Sequence, residues 1–240
     1  MAILRSLLAY VLMLTNAFLS SGWMYLTATR SPLVRRLEMQ QAMARRARAI
    51  LAAVCCLRCR VVGAENLPAA PFVIMPLHQS AFETLVFPAL FPPFVWVLKE
   101  SLVRVPILGR ALARLEPVAI DRSDPRVALR QVLEQGGEKL SRGISVLVFP
   151  EGTRHAPGNP GRFHSSGAAL ALGAKAPIVP VVHDAGRFWK GRGFVIRPGV
   201  ITVCIGAPIM PDAFEDRSPR EIMREVRESA ASGEVSINRL

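Results

Sequence analysis

Residues 7–26 read LLAYVLMLTNAFLSSGWMYL, an apolar run without a single charge. An α-helix needs ~20 such residues to cross the hydrocarbon core of a bilayer. The run therefore sets the first constraint on the fold: the chain must hand this segment to lipid or cover it. Trp23 and Tyr25 sit at its C-terminal end, where an interfacial aromatic belt would place them. Arg30, Arg35 and Arg36 follow at once, then Arg45, Arg46 and Arg48. The positive-inside rule puts everything beyond residue 30 in the cytoplasm. The expectation is a single N-terminal anchor in the inner (cytoplasmic) membrane, with the rest of the chain on its cytoplasmic face. The run is long for a signal peptide and no A-x-A site follows it. The alternative is a helix lying in the interface.

Next comes SPLVRRLEMQQAMARRARAILAAV, where Leu33, Leu37, Ala44, Ala47, Leu51 and Val54 recur at helical spacing. Ser31 is the expected N-cap and Pro32 the expected first helical residue. Arginines cover much of the remaining surface. This reads as a solvated basic face or as a helix on an anionic membrane surface. Cys56 and Cys59 form a C-x-x-C with no second pair at zinc spacing. Cys55, Cys56 and Cys59 are expected as small apolar residues in a helical stretch. With Cys204 they suggest no disulfide framework, so a reducing compartment is expected. The net charge of +12 favours anionic partners, which composition alone cannot choose among.

Beyond Gly63 the pattern changes. PFVIMPLH (71–78), FVWVLK (94–99), EPVAIDR (116–122), ISVLVFPEGTR (144–154), PIVPVVH (177–183) and VITVCIGAPI (200–209) are short apolar runs. Several are continuous rather than alternating, as strands covered on both faces are. Helix-like stretches at 80–90, 125–140 and 166–172 lie between them. The fold class expected is α/β: a mixed, largely parallel sheet flanked by helices, with an N-terminal membrane helix. Ligand sites in such sheets gather at the C-terminal ends of strands. His78, Lys99, Asp121–Arg122 and Glu151–Arg154 all fall there. Pro180, inside an apolar run, suggests an edge or a bulge. The segment GRFWKGRGFVIRPG (186–199) mixes basic and aromatic residues. The expected organisation is an anchor at 1–30, a basic amphipathic helix at 31–60, a catalytic domain at 61–215 and a charged, solvated helix or tail at 216–240.

HQSAFE, AIDR, FPEGTR and APIVPVV, in this order, resemble the four sequence blocks of the glycerolipid acyltransferases, in particular the bacterial 1-acyl-sn-glycerol-3-phosphate acyltransferases. The resemblance covers roughly residues 60–210, and the third block is the most specific. Two departures stand in the first block: Glu83 where Asp is usual, and Leu77 where Asn is frequent. The resemblance implies transfer of a fatty acyl group from acyl-CoA or acyl carrier protein to the sn-2 hydroxyl of lysophosphatidic acid, without an acyl-enzyme. It implies that Arg122 and the stretch Glu151, Gly152, Thr153 and Arg154 handle the glycerol-phosphate.

The residues themselves fit that chemistry. A neutral imidazole at His78 can take a proton from a hydroxyl. A carboxylate at Glu83 can fix its tautomer. Guanidinium groups at Arg122 and Arg154 suit bidentate phosphate binding, and Lys99 can add a point charge. Gly152 allows close backbone approach. Glu151 either meets the glycerol, positions an arginine or caps its loop. Ser80 is a loop or capping residue, since no G-x-S-x-G elbow surrounds it. The expected partners are lysophosphatidic acid, the acyl thioester and an anionic membrane surface. No metal, cofactor or nucleic acid is expected. The alternatives are another acceptor (glycerol-3-phosphate, another lysophospholipid or a lyso-ornithine lipid), a non-catalytic basic membrane adaptor, and a hydrolase using Ser80.

Overall fold

Successive residues of the central strands enter two different cores. The computed structural model describes residues 1–27, 31–105 and 108–238. Within it, β2 (Val73–Pro76), β3 (Phe94–Lys99) and β5 (Ser145–Leu147) lie side by side. Val73, Met75, Val95, Val97 and Val146 join one apolar cluster. Phe72, Ile74, Phe94, Trp96 and Leu147 join the other. Period-two alternation thus continues, but both faces are covered, so the runs read as uniformly apolar.

The sheet has seven strands in the order β1-β7-β6-β2-β5-β3-β4. Added to those above are β1 (Leu57–Val62), β4 (Val118–Ile120), β6 (Ile178–His183) and β7 (Gly199–Ile205). Every pairing is parallel except β6 with β7. Strands β4, β3, β5, β2 and β6 therefore end at one common edge. Pro180 lies in an interior strand, just where the β7 ladder stops at Ile205 and a single bridge, Ile178 to Ile209, replaces it. Its missing N–H falls in that break.

Helices α1 (Ala2–Thr27) and α2 (Leu33–Cys55) pack on each other and on the sheet domain. The short α3 (Phe82–Val86), α4 (Glu100–Val103) and α5 (Leu108–Ala113) follow strands β2 and β3. The longer α6 (Pro125–Ser141) starts at Asp124, whose side chain accepts from the N–H groups of Arg126 and Val127. Helix α7 (Ser166–Ala174) precedes β6, α8 (Ala185–Phe188) follows it, and α9 (Pro219–Asn238) closes the chain.

Three expectations change. The cysteines are not in one helical stretch: Cys55 ends α2, Cys56 is its left-handed cap at φ 52°, and Cys59 lies on β1. Strand β1 was hidden because Arg58 and Arg60 point outward and interrupt its apolar residues. Ser31 does not cap α2; its hydroxyl donates to the Thr27 carbonyl, and Pro32 takes the N-cap position. The C-terminal helix is not merely solvated. It buries Ile222, Met223, Val226, Ala230 and Ile237. At Gly233 a Cβ would come within 2.2 Å of Val182, so only glycine lets α9 lie this close to β6.

Along its length α1 is bound to the rest of the molecule. Ser6 exchanges hydrogen bonds with the backbone of Ile196, Tyr10 accepts from Trp189 Nε1, and Asn16 donates to Met43. Arg46 donates to Asn16 and Ser20, and the Arg114 guanidinium lies 5.3 Å from the Tyr25 ring centroid. Its other side leaves Leu4, Leu7, Leu8, Val11, Leu14, Phe18 and Trp23 exposed.

Candidate active site

Four strand ends bring the sequence-predicted residues together. His78 follows β2 by two residues, Lys99 ends β3, Arg122 follows β4 by two, and Glu151–Arg154 follow β5. The loop after β5 fixes the backbone of His78 from both sides. Glu151 Oε2 accepts from His78 N at 2.7 Å, and His155 N donates to the His78 carbonyl at 2.8 Å. Glu151 Oε1 accepts from Gly161 N at 3.0 Å. Of the three readings open for Glu151, these contacts correspond to the loop cap. The His78 ring stacks on Phe149, centroids 3.9 Å apart, and Phe149 stacks on Trp96.

Glu83 is wholly buried at the start of α3. Its Oε2 lies 2.9 Å from His78 Nδ1 and also accepts from Ser80 N at 3.0 Å. The methylene that glutamate adds relative to aspartate is thus absorbed without losing the His contact. Ser80 Oγ accepts from Phe82 N, a local bond within the turn that leads into α3. Behind Glu83 stands His183, the last residue of β6, also buried. Ala185 N donates to His183 Nδ1 at 3.3 Å, so its proton sits on Nε2. That N–H donates to Leu77 O at 2.9 Å and lies 3.4 Å from Glu83 Oε1, an oxygen with no hydrogen-bond partner of its own.

The direction of these bonds fixes the proton inventory. Burial pushes the Glu83 carboxyl well above its ordinary range, while the Ser80 and Gln79 N–H groups pull it back. Yet Ser80 N donates to Oε2 and the His183 N–H faces Oε1, neighbours that suit a carboxylate. Against a carboxylate at Glu83, a neutral His78 holds its proton on Nδ1, which leaves Nε2 free. Burial, then the positive charges of Arg154 and Arg122, hold its pKa below the ordinary histidine value. The imidazole is neutral and able to accept a proton at neutral pH.

Two cavities meet at this ring. One, of about 690 Å³, is lined by apolar residues including Met24, Leu85, Trp96 and Leu112, with Lys99, Arg122 and Arg154 also in its wall. The other, of about 620 Å³, is lined by Thr153, His155, Lys190 and Arg192 together with Arg122 and Arg154. His78, Arg122, Gly152 and Arg154 belong to both. Arg122 Nη1 donates to the Gly152 carbonyl, and Arg154 Nη1 to that of Gly191. Gly152 itself adopts φ +67°, a left-handed turn that glycine takes without strain.

Sequence reasoning missed His183 and Gln79, and it singled out 186–199 as basic and aromatic without assigning it to the site. His183 ends a parallel strand at the same edge as the other four, so the strand-end rule applied to PIVPVVH identifies it. Gln79 is buried and accepts from Gly186 N, which no local pattern signals.

A family model described as Acyltransferase matches residues 58–184. Over 220 residues the chain is 41% identical to a 1-acyl-sn-glycerol-3-phosphate acyltransferase of Pseudomonas aeruginosa, covering 91% of this chain and 84% of that one. It is 33% identical to the Saccharomyces cerevisiae enzyme of that name, over 70% of this chain and 57% of the relative. Among solved structures, the 1-acyl-sn-glycerophosphate (LPA) acyltransferase PlsC from Thermotoga maritima matches with a TM-score of 0.80. It covers 99% of this chain and 98% of that one at 24% identity, a likeness of fold.

Proposed function

The chain belongs to the acyltransferase family, and from that premise we propose that it transfers a fatty acyl group from a thioester to the sn-2 hydroxyl of lysophosphatidic acid, making phosphatidic acid. The observation that carries this reading is the place of His78, at the junction of an apolar cavity and a cationic cleft. A lipid acceptor that is part hydrocarbon and part phosphate needs such a junction at its reacting oxygen.

In this mechanism His78 Nε2 takes the hydroxyl proton, and the oxygen attacks the thioester carbonyl. Glu83 stabilises the imidazolium through Nδ1–H. The tetrahedral adduct collapses, the carbon–sulfur bond breaks, and the departing thiolate recovers the proton from His78. No acyl-enzyme forms. Arg122 and Arg154 bind the acceptor's phosphate, with Lys99 adding charge at the wall of the apolar cavity, which takes acyl chain. The donor is acyl-CoA or acyl carrier protein.

The exposed apolar side of α1, with Arg45 and Arg48 exposed on α2 beside it, seats the enzyme on an anionic bilayer. Because α1 is bonded to the body from Ser6 to Tyr25, it lies in the leaflet beside the domain rather than standing away from it. In the proposed setting that leaflet belongs to the inner membrane and the site faces the cytoplasm.

The test is an assay of purified wild type and folded His78→Ala with lysophosphatidic acid and a labelled acyl thioester. Loss of general-base catalysis is worth ~10²- to 10⁴-fold in kcat. Retention of wild-type kcat in the folded variant, or no phosphatidic acid from wild type, overturns the reading.

A further inference from the structure

The cationic cleft holds more charge than one acceptor phosphate uses. Arg122, Arg154, Lys190 and Arg192 line it and no carboxylate does. Two of these are committed locally, Arg122 to the Gly152 carbonyl and Arg154 to the Gly191 carbonyl. Lys190 and Arg192 are exposed, and among the described residues neither side chain has a hydrogen-bond or ion-pair partner.

The backbone that carries them is nonetheless firmly placed. Gly193 N donates to Lys190 O at 2.8 Å, closing a turn over 190–193. Gly191 presses on the site: a Cβ there would meet Gln79 O at 2.8 Å and Arg154 Cδ at 3.1 Å. On one flank Trp189 is buried and donates to Tyr10 of α1 at 3.0 Å; on the other Phe194 stacks on Tyr10 at 4.8 Å. The turn is thus pinned to α1 and to the Arg154 loop, and it presents two unpaired cations beside Gly191 along the cleft.

The proposed reaction brings together two phosphates with different reach. In the acceptor the phosphate is one carbon away from the reacting hydroxyl, so its cations must adjoin His78, as Arg122 and Arg154 do. In a pantetheine thioester the phosphate is separated from the reacting carbonyl by the whole length of the pantetheine arm. Its cations must lie along the exit path from His78, at exposed positions. We propose that Lys190 and Arg192 bind the phosphate of a 4′-phosphopantetheine thioester, with the polar cleft as the channel for its arm. The assignment rests on the acyl transfer proposed above, and it applies to either source of that arm, coenzyme A or a carrier protein.

The test uses the full chain in detergent–lipid micelles and the double variant Lys190→Ala with Arg192→Ala. Three donors are compared: acyl-CoA, acyl carrier protein and an S-acyl-N-acetylcysteamine, which lacks the phosphate. The expected result is a rise in KM of about three- to tenfold for both phosphorylated donors, the scale of two partly exposed charge pairs. KM for lysophosphatidic acid stays the same, and the difference between variant and wild type vanishes with the truncated thioester. A rise in the acceptor's KM, an equal defect with the truncated donor, or a rise confined to one phosphorylated donor overturns the assignment. The last outcome would point instead to the nucleotide phosphates or to an acidic protein surface. Wild-type inactivity on lysophosphatidic acid with every donor would instead count against the acyl transfer to that acceptor, a separate failure.

Discussion

Glu83 and Glu116 both organise the groups around them, and they do so in opposite ways. Glu116, just before β4, has its side chain about one-third exposed and is met by three cations: Arg36 from α2 at 2.5 Å, Lys139 at 3.1 Å and Arg142 at 3.3 Å. Burial alone would raise its pKa, but the Arg36 and Lys139 hydrogen bonds outweigh it and bring the carboxyl down to about 2. Glu83 is wholly buried, and among the described residues its ion-pair neighbours are two histidines. Burial there prevails and the pKa rises. The contrast follows from what each charge is for. A carboxylate that ties α2 to α6 is best neutralised by cations. In the proposed mechanism the Glu83 carboxylate stabilises a passing imidazolium and so keeps its charge uncompensated until His78 takes a proton.

The sharpest way to break this comparison is Glu83→Gln. The amide oxygen can still accept from Ser80 N and His78 Nδ1–H, but the neutral group no longer stabilises the imidazolium by charge. The expected loss in kcat is ~10²- to 10⁴-fold. Stability should move the other way. A carboxyl whose folded pKa is raised weakens the fold as pH climbs above the ordinary carboxyl range, because the folded state there binds the proton more strongly than the unfolded chain. At neutral pH the melting temperature of Glu83→Gln is therefore expected at or above that of wild type. A large fall in melting temperature with kcat intact would make Glu83 a structural group like Glu116.

His183 tests the same site one step back. Its Nε2–H is the donor nearest to the unpartnered Glu83 Oε1. Replacing it with Phe keeps a ring and removes the donor. Loss of an N–H dipole 3.4 Å from that oxygen costs less than a full charged hydrogen bond, ~1 kcal/mol or about fivefold in kcat. Both KM values are expected to stay constant. His183→Gln, which can place an N–H near the Nε2 position, is expected to recover much of the rate. If both substitutions cost the same, or if the change appears in KM, His183 only fills space.

How far these roles can be read from sequence follows from where their partners lie in the chain. His78 and Glu83 are five residues apart, one turn of chain, so a local motif carries them. The strand runs are legible because burial on both faces leaves only apolar side chains. Glu151 was visible as part of FPEGTR, but its bond to His78 N spans the gap between two parallel strands, which register decides and the motif does not. Strand β1 was missed because it is an edge strand with arginines pointing outward. The 189–194 turn lies in a stretch that the sequence marks only as basic and aromatic. Its aromatic residues are in fact occupied by α1, a contact made across more than half the chain.

Glu116 supplies the smallest effect and the mirror image of the first. Its side chain touches neither cavity at His78, so Glu116→Gln should leave kcat and both KM values at wild-type levels. Stability should fall, because Arg36, only 13% exposed, and Lys139, 9% exposed, would lose their counter-charge. With the exposed third of the glutamate discounted for screening, the cost is about 1–2 kcal/mol. The sign with pH is definite. A carboxyl whose folded pKa is about 2 stabilises the fold above its unfolded value of 4.5 and loses that contribution as pH drops toward 2. Melting curves of wild type and Glu116→Gln should therefore converge on acidification through that window, and the gap at neutral pH should narrow in high salt. If the gap persists at low pH, Glu116 acts through shape and the backbone turn at φ 46° rather than through its charge.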